Sequence, residues 1–453
     1  MLAGLILVSL LLGALCTRLH GVLLRKDPEA PALLQRVLSR VLNAVLVRLY
    51  PIKDLDGVRD IPSLPYQWPD GQGDKAKFLD GSRNYSQWRE ELGPIYRIWN
   101  GMTPEVVIAD PTPLQTLFRD SDTHIKASNN NSGYIMGELL GSCLGLISGS
   151  EWKSLRTTLE PHFSHVTVSN SSLKIFNAAQ RHLATLEVSK NFQAGFIHPS
   201  NDARVFLFDT SADLIYGGLS PEERAGLWRL VPPRESLFES VMDGGISRFD
   251  LSRVFEMPVH RKLKTYLSDF ANFNHQVYQR KVATKGDLGL LEHYAKSNTN
   301  VKQLLQTIDE SLFANLDVVT GAMSWLIYNL AKHRAAQAQL AEEVQLHTRE
   351  DDASWIAYIM RDDTFLSACI RESARLSPIA SFSIPQAPPT DRKAGEWILP
   401  AKTNITIDTR AINIEDPFWG KDRTEFNPSR FLDMKKSDVS TIRQSPSGQV
   451  QRC

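Results

Sequence analysis

The sequence predicts a mainly α fold with a small β-rich lobe, and three features predict it. Residues 301–333 are free of proline and carry the single glycine Gly321, so they read as one long helix able to run ~50 Å. In 361–378, Phe365, Leu366, Cys369, Ile370, Ala374 and Leu376 recur mostly at three- and four-residue steps up to Pro378. That pattern gives one buried helix ended by proline. The β signal is confined to a hairpin, 96–99 with 105–109 around Asn100-Gly101, and to alternating runs at 381–384, 396–399 and 403–408.

With 453 residues, 42% hydrophobic and 23% charged, the composition is that of a globular protein with a large core in one domain or two. Net charge is zero and no basic block occurs beyond the N-terminus, which argues against nucleic acid as a partner. The four cysteines, Cys16, Cys143, Cys369 and Cys453, follow no zinc or disulfide spacing. Cys143 and Cys369 read as small buried residues, and the compartment as reducing.

Taken in order, residues 2–16 form an uncharged run followed by Arg18, Arg25 and Lys26. The run is shorter than the ~20 residues of a spanning helix, so a cleaved signal peptide competes with a membrane anchor. The absence of basic residues ahead of the run and their cluster after it favour the anchor, with the body of the chain cytosolic. Residues 32–50 place Leu34, Val37, Leu38, Val41, Leu42, Val45, Leu46 and Leu49 on one stripe, with Arg36, Arg40 and Arg48 elsewhere. Such a helix suits either anionic lipid or an ordinary core.

Helices are expected at 80–91, 113–118, 173–187, 203–216 and 335–349. The stretch 227–271 is less regular, interrupted by Pro232-Pro233 and by Pro258. Trp152 and Arg156 share a helical face, and so do Glu372 and Arg375. Neither pair is diagnostic alone. A tryptophan stacked on an arginine stem is a common packing pair, and an exposed Glu–Arg pair contributes only ~0.3–0.5 kcal/mol.

In combination these groups carry more. Glu372-x-x-Arg375 on a helix, a β-rich interval and then Phe426-Asn-Pro-Ser-Arg430-Phe431 resemble the cytochrome P450 family. The helix–hairpin–helix order of 80–118 resembles the small β lobe of that fold. The resemblance implies a three-way salt bridge of Glu372, Arg375 and Arg430 beneath a haem, with Trp152 and Arg156 on a haem propionate. It also implies an oxygen-side helix at Ala314-Asn-Leu-Asp317-Val318, a substrate pocket at Ile379, Ala380 and Phe382, and a mobile cover from 227–271. Asp317 matches the family's acid, but Val318 stands where a threonine is usual and Asn315 where a small residue is usual. Proton delivery would then fall to Asp317 with Thr320, or to water or a substrate hydroxyl. The competing reading of Asp317 is a helix-surface or capping acid.

The resemblance covers roughly 85–432 and then stops. The family continues with Phe-x-x-Gly-x-Arg-x-Cys, whose thiolate binds the iron. Here Gly448 lies five residues and Arg452 one residue before Cys453, where the pattern requires four and two. The expectation is a cytochrome P450 fold incomplete at the C-terminus, a truncated product in which Cys453 is a poor substitute as metal ligand. The chain divides into an anchor with basic flank (1–26), an amphipathic helix and proline-punctuated linker (27–65), the P450-like domain (66–432) and an atypical tail (433–453).

Residues 129–140 and 314–317 look most like fungal P450s of secondary-metabolite pathways, of the gliotoxin or dithiodiketopiperazine type. The implied activity is monooxygenation of an apolar small molecule with O2 and haem b, with electrons from an NADPH-cytochrome P450 reductase at the endoplasmic reticulum membrane. The alternatives are a truncated, catalytically inactive P450-like membrane protein and a soluble helical binding domain without cofactor. The last must treat both groups of paired residues as coincidence.

Overall fold

Ahead of the β lobe runs α1 (Leu33–Leu49), in a computed structural model that describes residues 33–296, 300–347 and 352–434. Its apolar stripe divides. Leu46 is buried against Tyr66 and Trp99 with Leu42 beside them, whereas Val37, Val41, Val45 and Leu49, at successive four-residue steps, stay exposed. The expected anchor at 1–26 lies outside the described residues. Among those described, no helix is long and apolar enough to cross a membrane.

The β lobe is assembled from both halves of the chain. From the first come β1 (Lys53–Asp54), α2 (Gly81–Leu92), β2 (Ile95–Asn100), β3 (Thr103–Ile108), α3 (Leu114–Leu117) and β4 (Ile125–Lys126). From the second come β5 (Gln386–Ala387), β6 (Arg392–Ala394), β7 (Trp397–Leu399) and β8 (Asn404–Ile407). The hairpin turns where expected, with Gly101 at φ +57°. One sheet has the order β2-β3-β8-β5-β4, with β3 and β8 parallel and Ile108 opposite Ile407; the other is β1-β7-β6. The run 381–384 is not a strand: Phe382 forms a single bridge to Asp408, and pairing resumes at Gln386.

Beneath the sheet, Lys77 and Glu105 form a fully buried ion pair at 2.8 Å, and Asn131 donates to the same carboxylate. Asn131 belongs to a run, Asn129, Asn130 and Asn131, with φ of +50°, +56° and +58°. Asparagine tolerates this left-handed backbone better than most residues. The turn presents the Asn131 carbonyl to Arg248, which also donates to Asn100 and Asp70. The loop therefore clamps the hairpin to the helical part.

That part comprises α4 (Tyr134–Leu140), α5 (Gly149–Phe163), α6 (His165–Glu187), α7 (Lys190–Gln193), α8 (Pro199–Tyr216), α9 (Pro221–Asp243) and α10 (Pro258–Thr284). It continues with α11 (Val301–Asp309), α12 (Asn315–Lys332), α13 (Arg334–His347), α14 (Asp352–Ile359), α15 (Phe365–Leu376) and α16 (Arg430–Asp433). Pro232 and Pro233 do not interrupt α9, contrary to expectation. Both face solvent, while Leu230, Val231 and Leu237 pin the other side in the core. Pro258 opens α10 at its first turn, where it costs no hydrogen bond. The core between these helices contains Phe208, Tyr266, Phe270 and Phe313. Within it the Asp309 carboxylate accepts from Arg234 at 2.8 Å and from Tyr266.

Asp408, just past β8, is the buried acid with the clearest thermodynamic signature. One oxygen accepts the Ala411 N–H at 2.9 Å, and burial raises its pKa from the ordinary 3.8 to about 7. The folded state therefore favours the protonated form, so this group's contribution to stability is full below pH 3.8 and is lost as pH rises to about 7. Asp408→Asn should match the wild type near pH 4 and exceed it by about 2–4 kcal/mol at pH 8, read from unfolding midpoints across pH. A pH-independent difference would show that the carboxyl is not held protonated.

Candidate active site

The helix expected at 361–378 is shorter, Phe365–Leu376, because Thr364 caps it by accepting the Ser367 N–H at 3.1 Å. Its inward face is only partly the apolar one, with Phe365, Ala368 and Cys369 buried at its first turns. Ile370 is 49% exposed and Ala374 is exposed, while Cys369, Glu372, Ser373 and Arg375 are buried. Glu372 and Arg375 turn inward on the same side because their partners wait there. Glu372 is 0% exposed and accepts from Arg375 Nε (2.7 Å) and Nη2 (2.8 Å), from the Asn427 N–H (2.9 Å) and from Arg430 Nε (3.0 Å). Arg375 Nη1 donates to the carbonyls of Asn413 and Arg423, and Arg430 to the Trp419 carbonyl and Asp422. Each charged group of the trio has several hydrogen-bond partners, which is the condition for burying it.

The long helix is one column but not uniformly α. Between α11 and α12, residues Glu310–Ala314 form a π turn, a feature frequent at functional sites. Three side chains around it, Gln306, Thr307 and Glu310, accept the backbone N–H groups of Ser142, Leu144 and Gly145. They fix the loop that leads into α5. Beyond the turn, Val318 (41% exposed) and Trp325 (47%) lie seven residues apart on one face. Between them is Gly321, where an added Cβ would meet nothing within 4 Å. This open apolar strip suits the face of a large flat ring.

Asp317 is exposed and lies 3.7 Å from Arg204, which itself pairs with Glu235. Thr320 is buried, and its Oγ1 has no hydrogen-bond partner among the described residues. The two stand three residues apart on the same helix, without direct contact.

On α5 the Arg156 guanidinium stacks 5.0 Å over the Trp152 ring. Lys126 Nζ lies 5.9 Å over the same ring and close enough to the π turn to lower the Glu310 pKa, against a larger upward push from burial. Trp152 Nε1 and Lys126 Nζ are both buried without an acceptor among the described residues. Two orphaned donors beside an arginine fit the carboxylates of a haem. Lys126 escaped the sequence reading because it stands alone on a two-residue strand, where no periodicity marks it.

Ile379 and Ala380 are exposed and available to a ligand. Phe382 is not. It is 1% exposed and stacks on Trp88 in the core of the β lobe, so its place in a substrate pocket is corrected to a packing role. Cys143 and Cys369 are fully buried, and burial pushes the Cys369 thiol up to about 12 and Cys143 further. Neither is poised as a thiolate. Cys453 lies outside the described residues.

The architecture and the buried Glu–Arg–Arg trio define a class, and comparison with known proteins identifies it. The family model described as Cytochrome P450 matches residues 76–447, beginning before residue 85 and running past Leu432, so the chain belongs to the cytochrome P450 family of monooxygenase enzymes. Similar curated proteins are the cytochrome P450 monooxygenases asaD of Aspergillus flavus (39% identical, covering 91% of this chain and 80% of that protein) and aclC of Aspergillus oryzae (41%, 86% and 80%). A third is gliC of Aspergillus fumigatus (40%, 89% and 81%). These relatives make it a P450 of the fungal secondary-metabolite type. Among solved structures, a zebra fish cytochrome P450 with abiraterone aligns over 77% of this chain and 82% of that one. It has TM-score 0.59 and 16% identity, a likeness of fold.

Removing Arg430 would leave the Glu372 charge buried with one guanidinium. Arg430→Ala should lower stability by about 3–5 kcal/mol, read as a shift in the denaturant midpoint, whereas an exposed pair would give under about 1 kcal/mol.

Proposed function

We propose that this chain is a haem-thiolate monooxygenase that oxidises an apolar small molecule in fungal secondary metabolism, using O2 and electrons from an NADPH-cytochrome P450 reductase. The observation that carries the reading is the set of buried donors without acceptors among the described residues, Trp152 Nε1 and Lys126 Nζ beside Arg156, set against the long helix at its π turn. These three residues would hold haem carboxylates and so orient the ring. Val318, Gly321 and Trp325 would lie along its face without a polar contact. Bound there, the haem supplies the oxygen chemistry, and the protein's task is orientation, dryness and proton supply. The text of 129–140 and 314–317 supports a substrate of the dithiodiketopiperazine class.

For proton supply the chain offers Asp317 at the solvent side and Thr320 Oγ1 one turn further on, buried and uncommitted. Valine at 318 cannot relay a proton, so the relay falls to Thr320 acting through water, since two residues on it lies across the helix from Val318, or to a substrate hydroxyl. Thr320→Val should raise the hydrogen peroxide released per NADPH consumed several-fold while leaving haem content intact. An unchanged ratio would remove Thr320 from the relay.

The exposed ridge of Val37, Val41, Val45 and Leu49 on α1 follows the uncharged N-terminal run and supports a seat on the endoplasmic reticulum membrane with the body in the cytosol. Cys143 and Cys369 are buried and not poised as thiolates, so the cysteine that would bind the iron is sought outside the described residues, with Cys453 as the candidate to test. In microsomes carrying the full chain, the reduced carbon-monoxide difference spectrum should show a band near ~450 nm that sediments with membrane, disappears in Cys453→Ser and weakens in Lys126→Met. Protein present in the membrane without such a band would favour the inactive P450-like protein instead.

A further inference from the structure

His162 stands at the end of α5, the helix that carries Trp152 and Arg156, while Glu292 and His293 close the 3-10 turn Gly289–His293 packed against it. Three side-chain atoms from these two elements close a triangle. His162 Nε2 lies 3.2 Å from His293 Nε2, His293 Nε2 lies 3.2 Å from Glu292 Oε1, and His162 Nε2 lies 3.5 Å from the same oxygen. An ion held tetrahedrally at about 2.0–2.2 Å sets its ligand atoms about 3.3–3.6 Å apart. The three atoms already stand close to that spacing, two of the separations slightly inside it. Without an ion the two ring nitrogens share one proton in a single hydrogen bond, and both could turn their lone pairs to a cation once that proton leaves.

We propose that His162, Glu292 and His293 form a zinc site that staples the end of α5 to the turn preceding the long helix. Two imidazoles and one carboxylate are borderline donors that suit Zn2+, whereas Ca2+ and Mg2+ take oxygen ligands. The side chain of His293 is 6% exposed and fixes the inner ligand; Glu292, at 46%, leaves the fourth position open to water. The site does not depend on haem, because none of its ligands belongs to the Trp152, Arg156 and Lys126 group.

Lys296 gives the site a built-in competitor. Its ammonium lies 3.2 Å from Glu292 Oε1 and 3.2 Å from His293 Nδ1, so it stands in for a cation at the carboxylate. Its side chain is 49% exposed and can withdraw into solvent when the ion enters. Withdrawal also frees His293 Nδ1 to carry the proton, which leaves Nε2 as the ligand atom.

The test is equilibrium dialysis of the metal-depleted full-length protein against Zn2+ alone, with bound metal counted by mass spectrometry. One zinc per chain is expected, with affinity at least about tenfold weaker in His162→Ala and His293→Ala and about tenfold tighter in Lys296→Met. His162 is only half-buried, so its variant together with Lys296→Met decides the matter even where His293→Ala fails to fold. Zinc absent from the wild type, zinc retained equally in His162→Ala, or affinity unmoved by Lys296→Met would each overturn the site.

Discussion

A carboxylate with no exposed surface, Glu372, sits between the guanidiniums of Arg375 and Arg430 and also accepts a backbone N–H from Asn427. A charge in that position is tolerable only when every partner is present, because desolvation of the ion exceeds the attraction of any single neighbour. The partners come from α15 and from the segment 413–430, which returns beneath it after the β lobe is complete. The trio thus acts as a register device. If the returning segment slips, the carboxylate loses donors and the buried charge becomes costly. The Arg375 guanidinium over the Trp419 ring at 4.9 Å, and the Trp419 indole on the Ile412 carbonyl, tie the same segment to aromatic packing.

The long helix plays the complementary part. Its first half reads the 142–145 loop through three side chains, which sets where α5 begins and hence where Trp152 and Arg156 stand. Its π turn begins at Glu310, the last of these three residues, and leads to the open strip of Val318, Gly321 and Trp325. One column therefore positions both the donors and the apolar surface. The Asp309, Arg234 and Tyr266 group anchors the column to α9 and α10 just before the turn. Asp317 and Arg204 connect it to α8 just after.

Much of this was legible in the sequence, and the reason is local. The Asn100-Gly101 hairpin, the helices at 80–91 and 203–216 and the helical character of 301–333 rest on periodicity and turn chemistry within a few residues. Glu372, Arg375 and Arg430 could be paired because spacing on a helix and a later motif both point at them. The misreadings were those in which distant packing outweighed local preference. Pro232 and Pro233 look like breakers, yet α9 passes through them because its buried side is fixed elsewhere. Ile370 looks like core, yet the face of α15 that turns inward is the one whose charges find partners. Phe382 looks like pocket lining, yet Trp88 and the hairpin claim it.

What the sequence by itself determined, then, is the class of the fold and the pairs Glu372–Arg375 and Trp152–Arg156, which depend on residue type and short spacing, with Arg430 added by the motif that resembles the family's. Only the tertiary structure decided that Glu372 has no exposed surface, that Lys126 joins Trp152, that Thr320 is buried with an uncommitted hydroxyl, and that His162 meets Glu292 and His293. Each of these is a contact between segments tens to more than a hundred residues apart, or a state of solvent exposure that such contacts create. No local pattern encodes either, because burial and ionic partnership are properties of the closed chain.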